Sequence, residues 1–151
     1  MSKLRSGRHP ARRLALQTLF EMDFHGPEED PHGTWERGVH RAGLAENAGR
    51  FAWDLVEGLI AHKRELDREI ARLAPEWPVP QLSPIDRNIL RIALFELHHQ
   101  PATPAPAVID EAVELAKDFG SDASPKFVNG VLATAVRESP ASGTNGHGTP
   151  R

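Results

Sequence analysis

The residues of this sequence that could carry catalysis or ligate a metal are its eight histidines, Ser83 and Ser124, each before a proline, and Glu96, a carboxylate in an otherwise apolar stretch. No two histidines stand at the i, i+4 spacing of a helical metal site, and there is no cysteine to supply thiolates. No metal site is expected. A serine before a proline at a helix start is read as a capping hydroxyl, not as a nucleophile. Glu96 lacks the second acid, base or metal that a catalytic site needs, so it is read as a structural carboxylate. With no glycine-rich phosphate loop either, the sequence predicts no catalytic residue, no cofactor and no enzyme.

Three features remain, and all suit an anion. Arg5, Arg8, Arg12 and Arg13 lead into the first helical pattern. Arg87 and Arg91, four apart, fall on one face of an otherwise apolar helix. Lys126 and Phe127 stand at the start of the last helix, where backbone N–H groups have no helical partner. Each also has a plain structural reading: a solvated tail, salt bridges to neighbouring acids, and a capped helix with a core phenylalanine.

The charge distribution favours the anion reading for the N-terminus. The chain has 151 residues and a formal charge of -3, but five of its 18 basic residues precede the first acid, Glu21. The remaining 13 face all 21 acids. An acidic body with a basic arm suggests contact with a polyanion through one region.

The length is that of one domain with tails, and a hydrophobic share of 39% with 12 glycines is ordinary for a soluble globular chain. No run approaches the ~20 apolar residues of a membrane span, and no apolar segment follows the basic N-terminus to make a signal peptide. A cytoplasmic protein is expected.

Alanine and leucine dominate, and no sustained alternation marks a strand, so the fold class expected is all-α with about seven helices. The first helix carries Pro10 in its first turn and stops at Gly26-Pro27. A loop covers 27–33 and a short helix 34–40. The pattern of Ala48, Ala52, Leu55, Val56 and Leu59 predicts a helix over 45–62, resumed by Leu66, Ile70 and Leu73. Trp77-Pro78-Val79-Pro80 is a stiff connector and the expected hinge. Ser83-Pro84-Ile85-Asp86 opens a helix to about His99, apolar nearly all round and therefore central. After the Pro101 to Pro106 spacer, an amphipathic helix ends at Gly120, read as a left-handed stop. The last helix starts at Ser124, with Gly130 read as a point of close backbone approach. The organisation expected is a basic arm over 1–9, a helical domain over 10–137 and a disordered polar tail over 138–151.

Asp86-Arg87-Asn88-Ile89-Leu90-Arg91-Ile92-Ala93-Leu94-Phe95-Glu96-Leu97, Ile109-Asp110-Glu111-Ala112-Val113-Glu114-Leu115-Ala116-Lys117 and Lys126-Phe127-Val128-Asn129-Gly130-Val131-Leu132, in that order and spacing, resemble the NusB family of bacterial transcription antitermination factors. Arg12-Arg13-Leu14-Ala15-Leu16-Gln17-Thr18-Leu19-Phe20 is similar to the family's first helix, so the resemblance covers about residues 8 to 137. It implies two small helical bundles forming one domain, whose arginine-rich N-terminus binds the boxA sequence of nascent ribosomal RNA. It also implies a partner, the small-subunit ribosomal protein NusE, and a place in the RNA polymerase antitermination complex.

By position, the RNA-facing residues so implied are Arg8 and Arg12, then Arg91 and Lys126, with Phe20 and Phe127 as ring contacts. Arg5, Arg13 and Arg87 are added from charge. The chain departs from the family at Asp110, where Asn is common, and at Ala133, where an acid is frequent. Monomer and homodimer both remain open, and a homodimer would cover the basic face.

The nearest alternative is a stand-alone RNA-targeting or protein–protein adaptor module related to the N-terminal domain of ribosomal RNA cytosine methyltransferases. The methyltransferase itself would need an α/β cofactor domain that does not follow here. A helix-turn-helix DNA binder is disfavoured because the last helix offers few base-reading residues beyond Lys126 and Asn129.

Overall fold

The computed structural model describes residue 4 and residues 7–138, and among them it contains seven α-helices and no β-strand. These are α1 (Arg8–His25), α2 (Pro31–Ala42), α3 (Glu46–Ala61), α4 (Lys63–Leu73), α5 (Pro84–His99), α6 (Ala105–Phe119) and α7 (Ser124–Glu138), with a 3₁₀ turn at Val79–Gln81. The all-α class and the helix number agree with the expectation. The chain divides into two units, residues 1–63 and 64–151. That boundary falls at the first residue of α4, not at the proline connector expected as a hinge. Arg5 and nearly all of the C-terminal tail lie outside the described residues.

In the first unit α1 packs on α2 and α3. Ala11, Leu14, Leu44, Ala48 and Ala52 form its core, with Trp35, Val39, Ala42 and Phe51 packed against them. Small residues let these helices approach closely. A Cβ on Gly38 would collide with the Leu14 side chain, and the Trp35 indole N–H donates to the Gly49 carbonyl at 2.9 Å. α1 begins two residues before Pro10, because a proline anywhere in the first turn removes an N–H that has no helical partner. Arg8 is thereby drawn from the arm into the helix. α2 starts earlier than its weak pattern suggested, since Asp30 caps it through Gly33 N–H and Pro31 opens it.

In the second unit α5 is the central element, buried continuously from Asn88 to Glu96. Ile89, Leu90, Ile92 and Leu94 are at most 2% exposed, and at ~1.5–3 kcal/mol per buried side chain they anchor the unit. α6 brings Val108, Ala112, Leu115 and Ala116, and α7 brings Val128, Val131, Leu132 and Ala135. The Ser83 hydroxyl accepts the Asp86 N–H at 3.0 Å, as the capping reading requires.

Three local readings are corrected. Gly120 has φ -95°, so it is no left-handed stop; its role is steric, because a Cβ there would run into Ser124. Gly130 has open space where a Cβ would lie, so nothing approaches it. Ser124 is buried as the first residue of α7, and its hydroxyl accepts from Ser121 N–H at 3.0 Å instead of capping forward.

Candidate nucleic-acid interface

The first turn of α1 is the focus of the N-terminal arginines. Gly7, at φ 100°, turns the chain into the helix, a backbone state that costs glycine nothing. Arg8 and Arg12 then follow four apart, on one side of α1. Their guanidinium carbons lie over the ring of Phe51 on α3, at 4.5 Å and 5.4 Å from its centroid. Phe51 packs against the unit's core and also meets the two cations, a cation–π arrangement worth ~0.5–2 kcal/mol. Arg8 is exposed, whereas Arg12 is only 4% exposed. Arg8 therefore meets solvent from its seat on Phe51, whereas Arg12 is buried against the same ring.

A second stripe of α1 faces outward. At 100° per residue Arg13, Gln17, Phe20 and Phe24 share one face. Arg13 is half-buried, Gln17 is exposed, and Phe20 and Phe24 are 38% and 78% exposed. Phe20 thus stands where a base can stack, in line with Arg13 about two turns away.

In the second unit the predicted residues part company. Arg91 is buried and pairs with Asp67 on α4 through two hydrogen bonds, and Arg87 donates to the carbonyls of Val79, Pro80 and Leu82. Both cations serve the unit's own architecture, since a buried guanidinium must be paired and the connector carbonyls need donors. Lys126 is exposed beside half-buried Phe127 at the start of α7.

Phe51 escaped the sequence reading, which followed the Ala48, Ala52, Leu55 stripe. A phenylalanine one residue beyond Arg50 and off that stripe was the available signal. His98 was also missed as an ion-pair residue. Its Nε2 lies 2.7 Å from Glu69 Oε1, and that hydrogen bond, with the carboxylate's charge, raises its pKa against the opposing effect of burial. Among the described residues no group of three or more His, Asp or Glu could hold a metal ion. None of their helices is long and apolar enough to cross a membrane.

The sequence pattern of the NusB family matches residues 9–137. The chain belongs to the NusB family. It is accordingly a transcription antitermination factor of the NusB kind. Transcription antitermination protein NusB of Roseiflexus castenholzii is 47% identical over 131 residues, 85% of this chain and 91% of that protein. The Chloroflexus aggregans protein of the same name is 47% identical over 139 residues, 89% of each. The NusB fold is seen in T. maritima NusB, with TM-score 0.83, 31% identity and coverage of 89% of this chain and 94% of that one. A further similar NusB structure, solved as antitermination factors NusB and NusE in complex with double-stranded RNA, has TM-score 0.76 and 28% identity, covering 84% of this chain and 93% of that one.

Proposed function

We propose that this NusB-family chain binds boxA-type single-stranded RNA of nascent ribosomal RNA transcripts together with NusE, and in that complex keeps RNA polymerase from terminating early. It acts in the cytoplasm by binding, without catalysis. The observation that carries this reading is the seating of Arg8 and Arg12 on Phe51 at the start of α1. Cations fixed beside rings are what single-stranded RNA requires, charge for its phosphates and flat faces for its bases. The N-terminal end of the helix dipole adds to the attraction.

In this reading Arg5, Arg8 and Arg13 follow the phosphates, Arg12 holds the Phe51 platform, and Phe20 offers a ring along α1. Lys126 and Phe127 are a second cation–ring pair, in the second unit. Arg87 and Arg91 act only through their field. The relative solved with NusE and double-stranded RNA supports both partner classes.

The test is a titration of the chain, alone and with NusE, against boxA-type RNA, scrambled RNA, duplex RNA and duplex DNA at several salt concentrations. Binding should favour boxA RNA, tighten with NusE and fall with salt at a logarithmic slope of about -3 if ~4 phosphates are neutralised. Replacing Arg8, Arg12 and Arg13 by alanine should remove most of it. The Arg8→Ala, Arg13→Ala double variant, which keeps buried Arg12, separates lost contacts from lost folding. Unchanged RNA affinity in a folded double variant overturns the arm as the site. Absence of RNA binding under every condition leaves the protein-only adaptor.

A further inference from the structure

An open cleft of about 290 Å³ lies beside the arginine platform, between the start of α1 and the outer face of α3. It is lined by Gly7 and Arg8 at the start of α1 and by Asn47, Ala48, Arg50, Phe51 and Asp54 of α3. The three polar residues recur at about one helical turn on α3, so all reach the same opening. Asn47, Arg50 and Asp54 are exposed. Among the described residues no ion pair engages Arg50 or Asp54, although they stand four apart on one helix. They are a cation and an anion left available at the mouth of a preformed cleft.

We infer that this cleft is a one-nucleotide subsite selective for guanine, extending the RNA path from the arm onto α3. The inference rests on the RNA-binding reading above and deepens it. The size fits, being at the small end of the ~300–1,000 Å³ of small-molecule pockets, as suits one base. A stacking surface is present as well: a base can lie against the Arg8 guanidinium, which sits 4.5 Å from the Phe51 ring centroid, and guanidinium planes and rings both stack on bases.

The edge chemistry selects the base. Asn47 Oδ1 already accepts the Ala48 N–H at 2.9 Å, which engages one of its two lone pairs and leaves both amide N–H donors for the cleft. Asp54 as a carboxylate offers only acceptors. A donor and a two-oxygen acceptor lining one opening complement guanine, whose O6 accepts and whose N1–H and N2–H₂ donate side by side. Adenine and cytosine present one amino group next to an acceptor nitrogen, and uracil has a single N–H between two carbonyls. Arg50 supplies the positive charge for the adjoining phosphate.

The experiment uses the full chain with NusE and a boxA-type single-stranded RNA in which each guanine is replaced in turn, first by inosine, which lacks the 2-amino group, and then by adenine. At one guanine the parent protein should lose about tenfold in affinity, the size of a good bidentate base contact. Asp54→Ala should erase that penalty at that position alone, Asn47→Ala should reduce it, and Arg50→Ala should weaken all the RNAs alike and flatten the salt dependence. All three side chains are exposed, and melting curves check that the variants fold. A uniform gain in affinity for Asp54→Ala, with the parent's base profile retained, overturns the subsite, since it reads as simple removal of a repelling charge. RNA binding that depends on Arg8 and Arg13 but ignores all three α3 variants sinks the subsite and spares the proposed function. RNA binding that ignores Arg8 and Arg13 as well sinks both.

Discussion

Arg91 and Asp67 are locked together by two parallel hydrogen bonds, Nε to Oδ1 at 2.7 Å and Nη2 to Oδ2 at 2.9 Å, with the Arg91 side chain only 5% exposed. Nη1 donates to Asn88 Oδ1 at 3.1 Å, and the Asn88 amide donates to the Pro84 carbonyl at 3.0 Å. A chain of polar contacts therefore ties α4 to the first turns of α5. Such a pair adds little net stability, because desolvation offsets much of its attraction.

Removing one partner is a different matter. Asp67→Ala should leave a buried guanidinium uncompensated and cost ~3 kcal/mol, the low end of the range for a broken buried pair because Asp67 keeps some solvent. Urea unfolding should show it as a lower midpoint with unchanged slope. RNA affinity, measured well below the melting temperature, should stay at the parent value.

Ser83→Ala should lower stability by ~0.5–2 kcal/mol through loss of the cap on Asp86 N–H. Thermal melting followed by circular dichroism is sufficient to see it. A melting curve identical to the parent's would show the cap to be without weight.

Two glycines should respond in opposite directions. Gly130→Ala, in the exposed interior of α7 with nothing near its Cβ, should stabilise by ~0.5–1 kcal/mol from helix propensity. Gly38→Ala puts a methyl into the Leu14 side chain, and overpacking at ~1–3 kcal/mol should outweigh the same gain. Paired denaturation curves give both signs.

The His98–Glu69 contact should make stability mildly pH-dependent. With its folded-state pKa raised above the ordinary 6.5, His98 contributes fully below that value, and the contribution is lost as pH rises through the raised one. The His98 side chain is 42% exposed, so solvent screening keeps the effect under ~1 kcal/mol. NMR titration of His98 should give a pKa that falls in Glu69→Gln, and that variant should flatten the pH dependence of the urea midpoint.

Much of the fold was legible because helices announce themselves locally. The Ser83-Pro84 start, the buried run from Ile89 to Phe95 and the stripes of α3, α6 and α7 are all patterns within one turn or two. The misreading at Gly130 depends on what lies across from the residue, whereas Gly120 and Ser124 were decided by the path of the short 120–124 loop, in which they pack on each other; a sequence pattern records neither. Lys126 and Phe127 show the same limit, since their types suit RNA but nothing in their spacing says what they face.

The sequence by itself determined the helical class, the order of the elements, the family, and the gathering of positive charge ahead of the first acid, because periodicity, capping and charge are properties of neighbours along the chain. The tertiary structure decided which cations are available. Five residues, Arg8, Arg12, Arg13, Arg87 and Arg91, carry the same charge, yet packing buries Arg91 against Asp67 and bends Arg87 to the connector carbonyls, while Phe51 holds Arg8 at the surface. A guanidinium's task follows from its solvation and its partner, and for Arg8 and Arg91 these are set by Phe51 and Asp67, residues distant in sequence that only the fold brings near.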